Sequence, residues 1–291
     1  MKNSFNEFKN KSEEKKASTL IETIDKGEKW IFEGGKGSDE FGGFVDRLYY
    51  SDGENYGTFC SCIFLKRLRI IAGFKKDIPE ILQKDFINLI HKARKVISSV
   101  MNVWFVPTNE KLYNILKSLP WESKGHNTYE FTAYRENFED SEINIPKNFS
   151  IENFKEDYLT EACKMLDESL AHTFQDPKKG FYIPNKDFFL KEFLEKTKKE
   201  ECKLLLNKEE IVGMYILKGT EIDIMAIKKS YQNNGLGKLL LHHSINHILT
   251  NQKELPYLYC IDSNKNAIRF YKREGLKVTG HSGYLVFPEL K

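Results

Sequence analysis

The chain carries an internal repeat, and this repeat limits the folds that it can adopt. Without a gap, Val103–Phe131 aligns with Leu258–Val286 at an offset of 155 residues. Both copies read as a short strand, an Asn, a helix, a turn, a Gly-His pair and a second strand. The identical pairs are Asn109 and Asn264, Lys117 and Lys272, Gly125 and Gly280, His126 and His281, and Tyr129 and Tyr284. The repeat predicts two structurally related halves.

Length and charge exclude several classes of protein. The 291 residues, 40% hydrophobic and 30% charged, are enough for two domains with their own cores. A net charge of +3 is too small for the basic surface that nucleic-acid binding usually requires. No apolar stretch approaches the roughly 20 residues that cross a bilayer, and the polar start Met1–Ser4 lacks the apolar core of a signal peptide. We expect a cytoplasmic protein with no nucleic-acid or membrane partner.

Neither the cysteines nor the histidines predict a metal site. The five cysteines are scattered and lack CxxC spacing, so we expect buried, reduced thiols. His243 and His247 are four residues apart on a predicted helix, but no Glu completes an HExxH motif. We therefore expect no bound metal.

The order of predicted elements indicates an α/β, layered architecture in two domains. The polar segment 135–148 has no apolar periodicity and is the best linker candidate, which gives domains 1–145 and 146–291. Periodicity in the first domain predicts a helix over Glu13–Asp25, a hairpin of Phe44–Tyr50 with Tyr56–Phe64, and a helix over Gln83–Val100. The second domain contains three successive predicted strands, Cys202–Leu206, Ile211–Leu217 and Glu221–Ile227.

The third of these strands leads through a glycine-bearing turn into a helix. The segment Gln232-Asn233-Asn234-Gly235-Leu236-Gly237-Lys238 precedes a Leu-rich run. At such a junction the free N–H groups and the positive end of the helix dipole suit a phosphate group, and the glycines permit close approach. The spacing is neither that of a P-loop nor that of a dinucleotide fold. A tight strand-to-helix turn without a ligand is the alternative.

A second helix carries groups that suit a thioester substrate. Asn264 and Tyr271 are seven residues apart, about two helical turns, with the small Ala267 between them. A carboxamide can bond the amides of an extended pantetheine-like chain, and a phenol is protonated at neutral pH and can give a proton to a departing thiolate. An ordinary packed aromatic is the alternative for Tyr271.

Together these residues resemble the GNAT superfamily of N-acetyltransferases over 148–291. Gln232-x-x-Gly235-x-Gly237 is similar to its acetyl-CoA pyrophosphate signature, and Asn264 through Tyr271 to Leu276 is similar to its second motif. The resemblance implies tandem GNAT-like domains, each with a mixed, mostly antiparallel sheet flanked by helices. It implies acetyl-CoA as cosubstrate, an amine acceptor, and Tyr271 as general acid. The implied coenzyme contacts are Ala226, Ile227, Gln232, Asn233, Asn234, Gly235, Leu236, Gly237, Lys238 and Asn264.

The resemblance also suggests a general base. Glu221 lies in the register where the histone-acetylating branch of the family carries its catalytic Glu. Asp223 shares its face by strand alternation and is the competing choice, and an exposed carboxylate without a role is a third reading. The acceptor is left open among small molecules, protein N termini and lysines.

The first half lacks the chemistry of the second. At an offset of 155, the counterpart of Gln232–Gly237 is Asp77–Leu82, which has no glycine and carries two acids, and Tyr271 corresponds to Leu116. We expect a degenerate GNAT-like domain that shapes the acceptor cleft or stabilises the second half. Two alternative functions remain: a catalytically silent acyl-CoA sensor, and an aminoacyl transferase that forms peptide bonds without acetyl-CoA.

Overall fold

A computed structural model describes residues 4–35, 38–138, 143–171, 178 and 180–290. The chain divides into two compact units that alternate along the sequence. Unit 1 comprises Met1–Glu130, Cys260–Lys265 and Val278–Lys291, and unit 2 comprises Phe131–Tyr259 and Asn266–Lys277. The C-terminal segment is therefore grouped with the N-terminal part of the chain. The predicted domain boundary between residues 145 and 146 separates the two sequence repeats, and it stays a prediction.

The described residues contain both helices and strands, in an order typical of an α/β layered fold. The helices are α1 Lys11–Glu22, α2 Lys26–Phe32, α3 Gln83–Val96, α4 Glu110–Lys117, α5 Leu159–Leu170, α6 Lys186–Lys198, α7 Leu236–Asn251 and α8 Lys265–Arg273. The strands are β1 Phe41–Ser51, β2 Tyr56–Phe64, β3 Arg67–Phe74, β4 Met101–Phe105, β5 Lys124–Thr132, β6 Phe149–Asn153, β7 Cys202–Asn207, β8 Glu210–Lys218, β9 Glu221–Ile227, β10 Tyr257–Ile261 and β11 Lys277–Phe287.

Unit 1 is built on a mixed, mostly antiparallel sheet in the order β1-β2-β3-β4-β11-β5. Strands β3 and β4 are parallel and paired at five positions, from Leu68 with Met101 to Ala72 with Phe105. The apolar face of α3, which includes Phe86 and Ile90, packs into a core with residues of β2, β3 and β4. This burial of one helix stripe against one sheet face is the layered arrangement that the periodicity predicts.

Unit 2 has a sheet in the order β10-β9-β8-β7-β6, antiparallel except for the parallel neighbours β9 and β10. Helices α5 and α6 share a core with β7 and β8 that includes Leu166, Phe193 and Met214. Helix α7 packs against β8 and β9 through buried residues such as Leu240. The three successive strands predicted between 202 and 227 are confirmed.

The first helix ends earlier than the sequence predicts. A helix over Glu13–Asp25 is expected, whereas α1 stops at Glu22 and α2 begins at Lys26. Asp25 has an extended backbone, and its carboxylate accepts the N–H of Glu28 at 3.0 Å. Asp25 is therefore an N-cap, which starts a new helix instead of ending the old one.

The cysteines and His243 are packed inside the protein. All five cysteines are buried and unpaired, as predicted. His243 Nδ1 lies 3.0 Å from the Tyr215 hydroxyl, and burial lowers the pKa of His243 to about 4.

Among the described residues, no group of three metal-ligating side chains converges. In the same residues, every helix is too short or too polar to cross a bilayer.

We expect Asn109→Ala to destabilise unit 1 by about 3 kcal/mol, because it leaves buried polar groups unpaired. Asn109 is fully buried; its Oδ1 accepts the N–H of Phe74 at 2.8 Å, and its Nδ2 donates to the carbonyls of Phe74 and Lys76. It thus ties the end of β3 to the start of α4. Urea unfolding measures the change, with the exposed Asn114→Ala as control. Equal unfolding midpoints for the two variants would contradict the assignment.

Candidate active site

The loop between β9 and α7 is held by its own side chains. Gln232 Nε2 donates to the carbonyl of Ile227 at 2.9 Å, which fastens the loop to the end of β9. Asn233 and Gly235 have positive φ angles of 64° and 80°, the left-handed region that Asn tolerates and Gly favours. Together these conformations turn the chain sharply into α7.

The turn leaves the start of α7 open to a ligand. The N–H of Leu239 bonds the carbonyl of Gly235 at 3.1 Å, so the N–H groups ahead of it have no partner within the helix. No described side chain caps α7, and a Cβ at Gly235 would meet nothing within 4 Å. Residues 232–235 are exposed. Main-chain donors, a helix dipole and open space therefore coincide, which is the arrangement that binds phosphate.

A short helical turn before the loop is fixed from the side. Glu210, on β8, accepts hydrogen bonds from Lys228 and from the Tyr231 hydroxyl, the latter at 2.6 Å. The pKa of Glu210 is lowered by these two donors, and the pKa of Lys228 is raised chiefly by its bond to Glu210. Glu210 and Lys228 are thus both charged at neutral pH. Together with Tyr231, they hold the chain between the end of β9 and the loop.

A recess of about 210 Å³ beside the loop is lined in part by Gly235, Lys238 and His242. Glu274, at the end of α8, lies 3.8 Å from Lys238 Nζ, 3.6 Å from His242 Nε2 and 3.0 Å from Arg273 Nε. Burial, with Lys238 adding to it, lowers the pKa of His242 against the opposing effect of Glu274. The charged groups here are therefore Lys238, Arg273 and Glu274, so one positive charge is left unbalanced beside the loop.

Strands β9 and β10 separate immediately after they meet. They are paired at one position, Glu221 with Tyr257, whereas β9 pairs with β8 along its whole length to Ile227. Among the described residues, no strand therefore pairs with the β10-facing edge of β9 beyond Glu221, which presents main-chain N–H and C=O groups. Such an edge can accept an extended ligand as an added strand. Ala226 and Ile227 lie at its end, next to the loop.

Asp223 lies at a β-bulge. Ile222 pairs with Leu217 and Ile224 pairs with Ile216, so Asp223 is the extra residue on β9. The prediction that Glu221 and Asp223 share one face assumes that side chains alternate regularly along the strand. A bulge interrupts this alternation and changes the direction of side chains. Asp223 is exposed, yet the surrounding protein displaces enough water to raise its pKa, against the opposing effect of Lys218 and Lys196.

Helix α8 brings Tyr271 close to the loop region. A side chain at Gly237 would meet the Phe270 ring at 3.6 Å, so α8 packs against the start of α7. Tyr271 is buried, 9% exposed, with its ring 5.5 Å from that of Phe131. Asn264 directly precedes α8 and is grouped with unit 1, whereas Tyr271 and the predicted contacts from Ala226 to Lys238 belong to unit 2.

The corresponding part of unit 1 differs in its glycines and in its strand pairing. Matching the starts of α3 and α7 makes Pro79–Lys84 the counterpart of Gln232–Gly237, an offset of 153 and not the 155 that holds for α4 and α8. This segment also has no glycine. Beyond it, β3 and β4 remain paired where β9 and β10 separate. The carboxylate of Asp77 accepts the N–H groups of Lys111 and Leu112, so an acid already occupies the start of α4.

Sequence comparison identifies the second half of the chain. A family model described as an acetyltransferase (GNAT) domain matches residues 177–284. These residues form a GNAT acetyltransferase domain. The peptidyl-lysine N-acetyltransferases YjaB of Salmonella typhimurium and Escherichia coli are 33% identical over 79 residues and 31% identical over 78 residues. Each match covers 26% of this chain, and the chain spans about half the length of these curated relatives (49% and 48%).

Solved structures extend the likeness to the whole fold. A GNAT-family acetyltransferase from Colwellia psychrerythraea aligns over 99% of both chains with a TM-score of 0.52 at 10% identity. A GCN5-related N-acetyltransferase from Sphaerobacter thermophilus aligns over 81% of this chain and 78% of its own, with a TM-score of 0.52 at 11% identity. At such identities the likeness concerns the fold alone. The N-terminal half is GNAT-like in fold, as the repeat predicts.

Two features of the GNAT domain were absent from the sequence-based prediction. Burial raises the pKa of Glu192, on α6, and the charge of Asp223 raises it further. Glu274 lies beside three basic side chains, Lys238, His242 and Arg273. Glu192 lies between the buried Phe189 and Phe193 on α6. This position next to an apolar stripe was the one sequence feature that could have indicated a partly buried carboxylate. Glu274 follows α8 directly and carried no comparable signal.

Proposed function

We propose that the protein is an acetyl-CoA-dependent N-acetyltransferase whose active site lies in the C-terminal half. The observation that carries this proposal is the coincidence, in one GNAT domain, of an uncapped helix start with a strand edge that separates from its neighbour. The first feature suits a pyrophosphate and the second suits a pantetheine chain. The glycines and the strand separation are missing at the corresponding positions of unit 1, where β3 and β4 stay paired.

The proposed coenzyme contacts follow the chain from strand to helix. The N–H groups of residues 235 to 238 would hold the pyrophosphate, and Lys238 would add a positive charge. The main chain at Ala226 and Ile227 would pair with pantetheine. Gln232, whose amide already bonds Ile227, would keep the loop in shape and leave the binding to the main chain.

The proposed reaction is direct attack of an amine on the thioester. The acceptor must first lose a proton from its ammonium form, for which Glu221 and Asp223 on β9 are the candidates. The amine nitrogen then bonds the carbonyl carbon while the carbon–sulfur bond breaks. Tyr271 would protonate the departing thiolate, because a phenol stays protonated at neutral pH. Its burial excludes water that would otherwise compete for the proton.

The acceptor that we propose is the ε-amine of lysine in a peptide or protein. The curated relatives named above are peptidyl-lysine N-acetyltransferases, and this likeness supports a lysine acceptor. Unit 1 would act as a scaffold without an acetyl-CoA site of its own.

The test combines coenzyme binding with turnover. Calorimetry with coenzyme A should give one site per chain, and a free-thiol assay with acetyl-CoA and a panel of lysine peptides should give an acetylated product by mass spectrometry. Binding without turnover on any amine would instead favour the silent sensor. No binding at all would contradict the proposal.

We expect Gln232→Ala to weaken coenzyme A binding about fivefold, since the side chain contributes one hydrogen bond of about 1 kcal/mol to the loop conformation. Gln252→Ala, the same change at an exposed residue just beyond the end of α7, is the matched control and should bind as the unmodified protein does. Calorimetry measures both. Equal affinities for the two variants would show that the loop keeps its shape without Gln232.

A further inference from the structure

The recess beside the start of α7 is a groove along one face of that helix. Its lining from the start of α7 consists of Gly235, Lys238, Leu239 and His242. These positions correspond to i, i+3, i+4 and i+7, the spacing that places side chains on one face of an α-helix. The rest of the described lining is Ile143 and Asn144, in the irregular segment before β6. The groove therefore lies between one helix and one irregular segment of unit 2.

One end of this groove meets the proposed pyrophosphate site. Gly235 lines the groove, and it is also the first residue of the uncapped stretch 235 to 238. A Cβ at Gly235 would meet nothing within 4 Å, so the two spaces are continuous at this residue. In coenzyme A the diphosphate joins pantetheine to adenosine. With pantetheine beside β9, the adenosine extends from the other end of the diphosphate, where the groove provides a surface for it.

The lining of the groove suits a flat, uncharged ring better than an anion. Ile143 and Leu239 are half-buried and present aliphatic carbon. Burial lowers the pKa of His242, so its imidazole is neutral at neutral pH. Lys238 is the one cation of the described lining, and a Glu274 oxygen lies 3.8 Å from its Nζ. A phosphate in the groove would meet this single, already partnered cation, whereas an aromatic base would bury apolar surface.

The imidazole of His242 is held in place from behind. Its ring packs edge to face against the buried Phe138, with 5.1 Å between the ring centroids. Its Nε2 is buried and lies 3.6 Å from a carboxylate oxygen of Glu274, which is longer than a hydrogen bond. Packing therefore fixes the ring, and its outer part forms a rigid wall of the groove.

Asn144 supplies a hydrogen-bonding group that distinguishes one base from another. Its side chain is exposed and lines the groove. A carboxamide matches the edge of adenine, since its oxygen accepts from the N6 amino group and its nitrogen donates to N7. Guanine presents a carbonyl oxygen in place of that amino group, so the same carboxamide loses one of the two bonds. An Asn beside an apolar slot is therefore suited to adenine.

We propose that this groove is the adenine site of the coenzyme, where the base packs between Ile143 and Leu239 and the Asn144 carboxamide bonds its edge. This inference rests on the proposed binding of coenzyme A and adds the nucleotide end to it. No covalent bond forms or breaks in the groove, so it contributes affinity and base selectivity and takes no part in acetyl transfer. The protein should therefore prefer adenine nucleotides even without a pantetheine arm.

The first arm of the test compares two nucleotides that differ in the base alone. ADP and GDP carry the diphosphate without pantetheine, and each is titrated as a competitor of coenzyme A in calorimetry on the full chain. ADP should displace coenzyme A at about one tenth of the GDP concentration, in the lower range for a carboxamide that reads a base edge. Equal displacement by the two nucleotides, or none by either, would overturn the adenine site.

The second arm assigns the selectivity to Asn144. Asn144→Ala should remove most of the preference for ADP over GDP. Asn148→Ala, the same change at an exposed residue later in the same segment, is the matched control and should keep the preference. With acetyl-CoA, Asn144→Ala should raise KM about threefold and leave kcat unchanged, because the groove does not touch the reacting groups. Equal preference for ADP in the two variants would overturn the role of Asn144.

The outcomes separate this inference from the proposed function. A protein that binds no coenzyme A would overturn the proposed function and the adenine site together. Acetyl transfer accompanied by equal competition from ADP and GDP would overturn the adenine site alone. Preference for ADP without turnover on any amine would support the adenine site and favour the silent sensor as the function.

Discussion

Replacing Gly235 by Asn should weaken coenzyme A binding about 100-fold while the protein stays folded. Asn tolerates the left-handed backbone of Gly235, and a Cβ there meets no protein atom within 4 Å. The new side chain instead points into the space where we propose the pyrophosphate binds. Displacing one or two charge-assisted hydrogen bonds costs about 3 kcal/mol, which corresponds to the expected loss.

The matched control is Gly219→Asn in the turn between β8 and β9. Gly219 also has a positive φ angle, 63°, and open space around its Cβ. This variant carries the same chemical change and the same backbone strain outside the loop, so coenzyme A affinity should be unchanged. Calorimetry on both variants separates a local effect from a general one. Equal affinities would mean that the start of α7 is not the coenzyme site.

Replacing Tyr271 by Phe should lower kcat about 100-fold, the usual range for loss of a general acid, and leave coenzyme A affinity unchanged. The phenyl ring keeps the packing against Phe131 and Phe270, whose centroids lie 5.5 and 5.3 Å away. The lost group is then the hydroxyl alone. The free-thiol assay measures the rate and calorimetry measures the affinity.

A suitable control is Tyr231→Phe, which removes a hydroxyl that bonds Glu210 beside the loop. It removes the same atom from the same domain, so it should change kcat far less than Tyr271→Phe. A Tyr271→Phe variant with an unchanged rate would contradict the general-acid role. A variant that loses coenzyme A affinity as well as rate would indicate that the hydroxyl holds the substrate and does not protonate it.

The elements themselves were predictable because local patterns determine them. Alternation and helical periodicity identified β7, β8 and β9 and the start of α7. The Gly235 turn was predictable for the same reason, since glycine spacing reports backbone conformation directly. The end of α1 was not, because apolar periodicity continues to Ile24 while the capping geometry of Asp25 decides the boundary.

Features that depend on pairing between distant segments were not predictable. The bulge at Asp223 follows from the register of β9 against β8, and no residue in Glu221–Ile227 signals it. The separation of β9 from β10 is equally a property of two strands, as is its absence between β3 and β4. The contact of Glu274 with Lys238 joins α8 to α7 and likewise depends on how two separate helices pack.

The most direct test of the central claim is a crystal structure of the full chain with coenzyme A. Our account predicts that the pyrophosphate oxygens lie within about 3 Å of the main-chain nitrogens of residues 235 to 238, the usual N–H···O distance. It also predicts that pantetheine runs beside β9. A coenzyme bound at the start of α3, or anywhere other than the start of α7, would contradict it.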